Sequence, residues 1–404
     1  MPFFYILSNG LSGFGDWLFL MATRWYQVND LSQALWLSAL TILGAKLLRL
    51  PTTVIVVRRI EQMSAWKVIA SGTALLALCS ATLAWTAATG RLDGGTLAAI
   101  AAFSSAVGGF IVGHVPRLQR EILGERQQDL AFWESWTNNS ARIVAGILGG
   151  KLGKLGTWTL FALDAVSFLP LIIYLLFSRK GDSKSDEGSL QSPPASVLDG
   201  TWYIWRNPAL RMLVTINTIR GVSFMSLPFI VTPEIVKRDY AGGATEFGIW
   251  LAVTGGAGLL GSIVGKRLRL STKGTVGALA AAGVSIAATT AAINYAQYII
   301  CYLCFVGFIA PAAALMQAEL QLVDTKYLAS VRRVSAIVED GISPASIVFI
   351  TWLLGAQFHI GPRQILFVSS LTGLLALGVL TYLAKTRGLM DKMITGKYRN
   401  EIDK

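Results

Sequence analysis

Residues 179–200 read RKGDSKSDEGSLQSPPASVLDG and form the long polar segment from which the organisation of the chain is inferred. Their serine, proline, glycine and mixed charges are typical of a mobile linker. Long apolar stretches flank the segment, six before it and six after it. We therefore predict an internal duplication, with an N-terminal half at 1–178, a linker at 179–208, a C-terminal half at 209–385 and a tail at 386–404.

Each apolar stretch is long enough to cross a membrane, because a transmembrane helix needs about 20 predominantly apolar residues. Lipid admits only helices and closed barrels, and these stretches are too long for barrel strands. The sequence thus predicts an all-α integral membrane protein with twelve transmembrane helices in two six-helix halves. The predicted spans are residues 3–26, 32–57, 66–88, 95–115, 131–152, 157–178, 209–232, 243–265, 274–292, 295–318, 333–356 and 361–384.

The basic residues follow an alternating pattern that predicts the topology. Most of the 35 lysines and arginines fall in every second gap between the apolar stretches. Basic residues in short loops stay on the cytoplasmic side, so the linker and both termini are predicted to be cytoplasmic. We interpret the net charge of +12 as this loop bias and not as nucleic-acid binding. Charged residues make up only 14% of the chain, whereas soluble domains carry about 25%.

Enzyme, metal and cofactor chemistry find little support in the sequence. The three cysteines lie inside apolar runs, and Cys301 and Cys304 have no basic neighbour that would activate a thiolate. The two histidines, His114 and His359, are too far apart in sequence for a metal site. We therefore expect no cofactor, no metal and no catalytic residue.

Asp16 is the strongest functional candidate inside the predicted spans. A rise of about 1.5 Å per residue places it near the middle of the membrane, as it does Lys46, Arg142 and Arg220. An ionisable side chain at that depth costs about 2.5 to 3.5 kcal/mol on insertion scales. Each of these residues is therefore expected to face a partner or a wet cavity.

Two interpretations of Asp16 stay open. Asp16 shares one helical face with Asn9 and Gly13, at spacings of four and three residues. A buried carboxylate that binds a proton in one conformation and releases it in another would couple transport to a proton gradient. Alternatively, a fixed ion pair with Lys46 or Arg142 would hold helices together.

The predicted fifth helix carries polar residues beside small ones. Glu134, Asn138 and Arg142 lie four residues apart on one face, next to the small residues of 145–150. Small residues let helices approach closely in lipid. The pattern favours a tight interface with polar cross-links, although Glu134 stays a second candidate for proton coupling. The predicted interhelical polar network comprises Lys46, Asn138, Arg142 and Asp164.

Two six-helix halves with a cytoplasmic linker resemble the plan of secondary transporters of the major facilitator superfamily. Several segments resemble one branch of it, the exporters related to the enterobactin exporter and the macrolide efflux proteins. They are residues 11–22 (LSGFGDWLFLMA), 138–156 (NNSARIVAGILGGKLGKLG), 161–169 (FALDAVSFL), 243–265 (GATEFGIWLAVTGGAGLLGSIVG) and 330–344 (SVRRVSAIVEDGISP). Their order and spacing carry the resemblance, which implies the major facilitator fold and a role in export.

The resemblance also implies where substrate binds. Helices one, four, seven and ten line the cavity in this superfamily, which makes Asn9, Asn217 and Arg220 candidates for substrate contact. Trp250, inside the eighth predicted span, is a further candidate because an aromatic ring there could stack on an amphiphilic ligand. Arg220 would receive an anionic group through bidentate hydrogen bonds, and a structural partner such as Asp340 is the alternative. For Trp250 the alternative is core packing.

A cytoplasmic gate is the second expectation from the resemblance. The loop after the second helix usually carries an Asp-Arg pair that latches this gate. Residues 56–62, VVRRIEQ, keep Arg58 but place Val57 where the aspartate stands, with Glu61 as a stand-in. The predicted gate comprises Arg58, Glu61, Glu319, Arg332, Arg333, Glu339 and Asp340.

From these observations we expect a monomeric transporter of a bacterial inner membrane that exports a small amphiphilic metabolite, a siderophore or a drug-like compound, by proton antiport. Its expected partners are the small-molecule substrate, membrane lipid and protons, and no nucleic acid. One alternative is an importer of a metal chelate or organic solute. Another is a non-transporting membrane sensor with the same fold, which the altered loop at Val57 favours.

Overall fold

The fold was analysed in a computed structural model that describes residues 2–54, 64–123, 127–177, 197–267, 272–321, 331, 334–335 and 337–386. Within these ranges the chain is helical and contains no β-strand. This confirms the all-α membrane architecture that the apolar stretches predict.

The first predicted half consists of long helices that follow its predicted spans. They are α1 (Pro2–Asn29), α2 (Leu35–Val54), α3 (Ala65–Ala88), α4 (Gly94–Leu123), α5 (Gln127–Leu152), α6 (Thr157–Ser167) and α7 (Leu169–Phe177). Together α6 and α7 make the sixth predicted span. The helix is interrupted at Phe168, because Pro170 has no N–H to donate to the carbonyl of residue 166.

The remaining helices follow the second set of predicted spans, with one addition. They are α8 (Val197–Arg206), α9 (Pro208–Ile219), α10 (Ser226–Asp239), α11 (Ala244–Arg267), α12 (Thr272–Ala288), α13 (Tyr295–Gln321), α14 (Ser343–Ile350) and α15 (Pro362–Thr386). The addition is α8, which occupies the end of the predicted linker and buries Ile204. Asn207 separates α8 from α9 and caps α9, since its side-chain oxygen accepts a hydrogen bond from the Leu210 N–H at 3.1 Å.

Stretches of π-helix interrupt two spans of the described C-terminal half. Arg220–Met225 joins α9 to α10, whereas Val338–Ile342 and Thr351–Gln357 flank α14. A π-helical turn inside an α-helix is rare and is frequently found at functional sites. One of these segments begins at Arg220, the residue that the sequence makes a candidate for substrate contact.

The helices have the composition that a membrane requires. Within the described residues, seven helical stretches are long and apolar enough to cross a bilayer by themselves. Large apolar side chains point outward from many helices; Phe177, for example, is 86% exposed and Tyr382 is 68% exposed. A soluble monomer rarely shows so much exposed apolar surface, whereas a surface that faces lipid does.

The contacts between helices divide the chain into two compact units. One contains the described residues of Met1–Gly188 together with Thr232–Leu259, and the other contains those of Ser189–Val231 and Leu260–Lys404. Most of α10 and α11 therefore packs with the first unit, where Lys237 Nζ donates a hydrogen bond to the Val28 carbonyl at 2.8 Å. The domain boundaries drawn from the linker stay a prediction.

Candidate functional site

The first unit contains a cavity with a volume of ≈ 560 Å³, lined by residues of α1, α2, α3, α4, α6 and α7. This volume lies in the range of about 300 to 1,000 Å³ that is usual for small-molecule sites. Its walls are mixed, because apolar side chains alternate with charged and hydroxyl groups. The apolar part includes Phe19, Leu20, Ile42, Leu76 and Phe168.

Asp16 lies in the wall of this cavity with its side chain exposed to it. Asn9 and Ser12 line the same cavity, so the polar face of α1 runs through residues 9, 12 and 16. Gly13, which the sequence had placed on this face, is not among the lining residues. The positive charge of Arg49 acts on Asp16.

Basic side chains on two helices face the same cavity. Lys46 and Arg49 on α2 line it, as does Arg24 on α1. Two hydrogen bonds hold the Arg24 side chain in place, because its Nη1 donates to Gln27 Oε1 at 2.7 Å and to the Ser38 carbonyl at 3.2 Å. Of these three residues, only Lys46 is a candidate from the sequence.

Asp164 on α6 forms another part of the cavity wall and is buried, with 1% of its surface exposed. Ser80 on α3 donates a hydrogen bond to its Oδ2 at 2.6 Å. The backbone of α1 comes very close here, because a Cβ on Gly15 would collide with Asp164 Oδ1 and with Ser167 Oγ. The structure therefore brings Asp164 next to Asp16, whereas the sequence had assigned it to a scaffold with Arg142.

Several polar atoms in the cavity wall are buried. Among them, Thr23 Oγ1, Ser104 Oγ and Asp164 Oδ1 have no hydrogen-bond partner within the described residues. Buried polar atoms are almost always paired with protein or water, and an unsatisfied one costs about 1 to 3 kcal/mol. Their gathering around one cavity indicates that it accommodates polar groups.

The predicted network on α5 packs against α1 at a separate place. The Arg142 guanidinium lies 3.8 Å from the centre of the Trp17 ring, and Trp17 Nε1 donates a hydrogen bond to Asn138 Oδ1 at 2.9 Å. Asn138 and Arg142 thus both contact Trp17. Neither belongs to the residues that line the cavity.

Small residues bring α5 and α11 into backbone contact within the first unit. A Cβ on Gly146 would lie 2.5 Å from the Gly248 carbonyl oxygen and 2.5 Å from the Ala252 nitrogen. Trp250 on α11 is fully buried at 0% exposure and stacks on Phe247 at 5.4 Å between ring centres. Phe247 stacks in turn on Trp25 of α1, so Trp250 lies in an aromatic core away from the cavity lining.

In the second unit, Arg220 opens the π-helical segment and bonds within its own helix. Its Nε and Nη2 both donate to Asn217 Oδ1, at 3.0 and 2.8 Å. Asn217 is buried at 4% exposure. Gly221 lies beside α14, where an added Cβ would be 3.6 Å from Ser343 Oγ. The two substrate candidates of this unit are therefore held together as a pair.

The remaining predicted residues are only partly placed. Arg58, Glu61, Arg332 and Arg333 lie outside the described residues. The other four are placed by their backbone alone: Glu134 on α5, Glu319 on α13, and Glu339 and Asp340 in the π-helical segment before α14. The cytoplasmic gate and the coupling role of Glu134 stay predictions.

Comparison with solved structures shows the same architecture in known transporters. The nucleoside transporter NupG superposes with a TM-score of 0.74 at 10% identity, covering 95% of this chain and 98% of that chain. A D-xylose-proton symporter superposes with a TM-score of 0.66 at 13% identity, covering 92% and 97%. No curated protein sequence matches this chain. At such identities the likeness shows the fold alone.

A comparison with known protein families gives the assignment. The family model of the Major Facilitator Superfamily matches residues 5–339, and this range is most of the chain. This agrees with the long apolar helices of the described residues and with the solved structures that superpose on them. The chain is a multi-pass membrane protein that belongs to the major facilitator superfamily of transporters.

Proposed function

We propose that the protein exports a small amphiphilic metabolite, a siderophore or a drug-like compound, across a bacterial inner membrane by proton antiport. Asp16 is the group that binds the coupling proton. The observation that carries the proposal is the position of its carboxyl group in a cavity of a membrane-spanning bundle, beside the charge of Arg49.

The chemistry of the cavity supports an amphiphilic substrate. Apolar side chains such as Phe19 and Leu76 offer contacts to an apolar body, whereas Lys46 and Arg49 offer charge to an anionic group. Protonation of Asp16 would remove a negative charge from this wall and change its net charge by one unit. A cationic substrate group and a proton compete for the negative charge of Asp16 and are thereby coupled, as antiport requires, whereas an anionic group binds more tightly once Asp16 is protonated.

Import is the second candidate, because one of the superposed structures is named a proton symporter. Symport and antiport can use the same carboxyl group, and they differ in whether proton and substrate bind together or in turn. The direction of substrate movement relative to the proton gradient separates them.

The test uses membrane vesicles of both orientations and the catecholate 2,3-dihydroxybenzoate and the dye ethidium as probes. We expect inverted vesicles with an acidic interior to accumulate a probe, and the probe to dissipate the pH gradient. Asp16→Asn should abolish both effects, since asparagine keeps the shape of aspartate but cannot take up a proton.

The matched control is Asp93→Asn, which removes an exposed carboxylate between α3 and α4, away from the cavity. This variant should transport like the wild type. Accumulation only in right-side-out vesicles would establish import. If Asp16→Asn transports at the wild-type rate with an intact proton dependence, Asp16 has no part in coupling.

A further inference from the structure

Asp164 has a hydrogen-bonding environment that is incomplete for a carboxylate. Ser80 donates to Oδ2 at 2.6 Å, while Oδ1 is buried and has no hydrogen-bond partner within the described residues. The nearby Ser167 hydroxyl cannot serve Oδ1, because it donates to the Asp164 backbone carbonyl at 2.7 Å. An ionised carboxylate in this position leaves one charged oxygen without a donor, whereas a protonated carboxyl carries its own donor.

Gly15 brings this carboxyl group next to α1. A Cβ at residue 15 would overlap both Asp164 Oδ1 and Ser167 Oγ, so only glycine permits the approach of α1 to α6 that the structure shows. Asp16 follows directly in sequence and lines the same cavity as Asp164. The charge of Asp16 acts on Asp164.

The other charged groups around the cavity favour a negative charge on Asp16 over a negative charge on Asp164. Arg24 on α1 and the basic residues Lys46 and Arg49 on α2 line the cavity, together with the phenol of Tyr5. The lining residues of α3, α4 and α7 carry no charge. Arg49 acts on Asp16, while Ser80 is the group that supports Asp164. Asp16 is thus the better place for a negative charge, and Asp164 is the better place for a proton.

We propose that Asp16 and Asp164 form a carboxyl pair that holds one proton between them, with Asp164 as its second proton-binding residue. The inference rests on the proposed proton coupling at Asp16 and extends it to α6. In the resting arrangement the proton is on Asp164 and the negative charge is on Asp16 beside Arg49. When the proton passes from Asp164 to an Asp16 oxygen, Asp16 becomes the neutral acid and Asp164 the carboxylate, so the total charge is unchanged.

The pair gives two carboxyl groups that titrate as one coupled system. Infrared spectroscopy of the purified protein in detergent, with aspartate labelled by ¹³C at the side-chain carboxyl, detects protonated aspartates without any substrate. We expect a protonated-aspartate band in the wild type at neutral pH that titrates in two steps. Asp164→Asn should remove this band at neutral pH and leave a single step.

Asp16→Asn provides a second measurement, in which Asp164 itself is unchanged, so its result does not depend on the folding of an Asp164 variant. Removal of the neighbouring negative charge should lower the proton affinity of Asp164 by about tenfold or more, the size of a coupled interaction. Asp93→Asn is the control and should leave the band unchanged. Ser80→Ala should move the frequency of the band but keep both steps.

The proposal is overturned if the band and its titration are the same in Asp164→Asn as in the wild type. It is also overturned if Asp16→Asn leaves the titration of Asp164 where it was. The two proposals fail separately. If the titrations are as expected but the vesicles show no proton-coupled transport, the carboxyl pair is retained and the proposed function is refuted.

Discussion

Gly248 on α11 allows a direct test of the contact between α5 and α11. A Cβ added there would collide with the Gly146 carbonyl oxygen and lie 2.7 Å from the Gly150 Cα and 2.9 Å from the Gly150 nitrogen. All three are backbone atoms of one helix, so no side-chain rotation relieves the overlap. An ordinary contact begins at 3.4 Å, so relief of the closest overlap, at the Gly146 oxygen, would require the helices to separate by about 1 Å.

The expected effect of Gly248→Ala follows from this separation. A gap of about 0.5 to 1 Å forfeits about a quarter to a half of the attraction at each contact, and overpacking of a close interface costs about 1 to 3 kcal/mol. Alanine gains about 0.5 to 1 kcal/mol over glycine in a helix interior, which offsets part of that cost. The control must therefore share this gain.

Gly256→Ala is that control, because it lies on the same helix and has no atom within 4 Å of its added Cβ. We expect the free energy of unfolding to be lower for Gly248→Ala than for Gly256→Ala by about 1 to 3 kcal/mol. Unfolding by sodium dodecyl sulfate in mixed micelles, followed by tryptophan fluorescence, measures this difference. Equal stability of the two variants would refute the backbone contact between α5 and α11.

Three further predictions concern other parts of the chain. Hydrogen bonds from the Thr96 backbone N–H and hydroxyl hold the pKa of Asp93 below its usual value. The Asp93 carboxylate therefore stabilises the folded protein above about pH 4, and this contribution is lost as the pH falls through the folded pKa. In unfolding experiments at acid pH, the stability advantage of the wild type over Asp93→Asn should vanish. Arg220→Lys loses the two-donor contact with Asn217. If Arg220 binds substrate, this variant should weaken the binding of 2,3-dihydroxybenzoate by about 1 to 3 kcal/mol more than the binding of its neutral amide, as measured by ligand titration of the purified proteins. Equal titration curves for wild type and variant would make Arg220 a structural residue. Ser185→Cys should resist an impermeant thiol reagent in intact cells in a background without the native cysteines, and labelling there would invert the predicted topology.

The sequence predicts the helices well because their signal is local. Each span is a run of apolar residues whose length is set by the bilayer, and the described helices follow these runs closely. The segment before α9 was harder to predict, because its serine and proline content indicates a linker while its end, VLDGTWYIWR, forms α8. The grouping of Thr232–Leu259 with the first unit depends on long-range packing, which no local pattern contains.

For the candidate site, the sequence draws attention to individual residues more than to their neighbours. Depth in the membrane draws attention to Asp16 and Lys46, and both residues line one cavity. Arg24 and Arg49 were missed, although they lie eight residues after Asp16 and three after Lys46 and so share a helical face with them. The partnership of Asp164 could not be inferred, because it depends on the distance between α1 and α6 that Gly15 permits.

The π-helical segment at Arg220 has a consequence for comparing this chain with its relatives. A π turn closes each hydrogen bond over one more residue than an α turn, which is equivalent to one inserted residue. One residue corresponds to a rotation of about 100° around an α-helix, so the side chains of α10 point about that far from where an uninterrupted α9 would direct them. An alignment with a relative that has a regular seventh helix needs a one-residue gap within 220–225, or every position from Ser226 onward is compared with the wrong face.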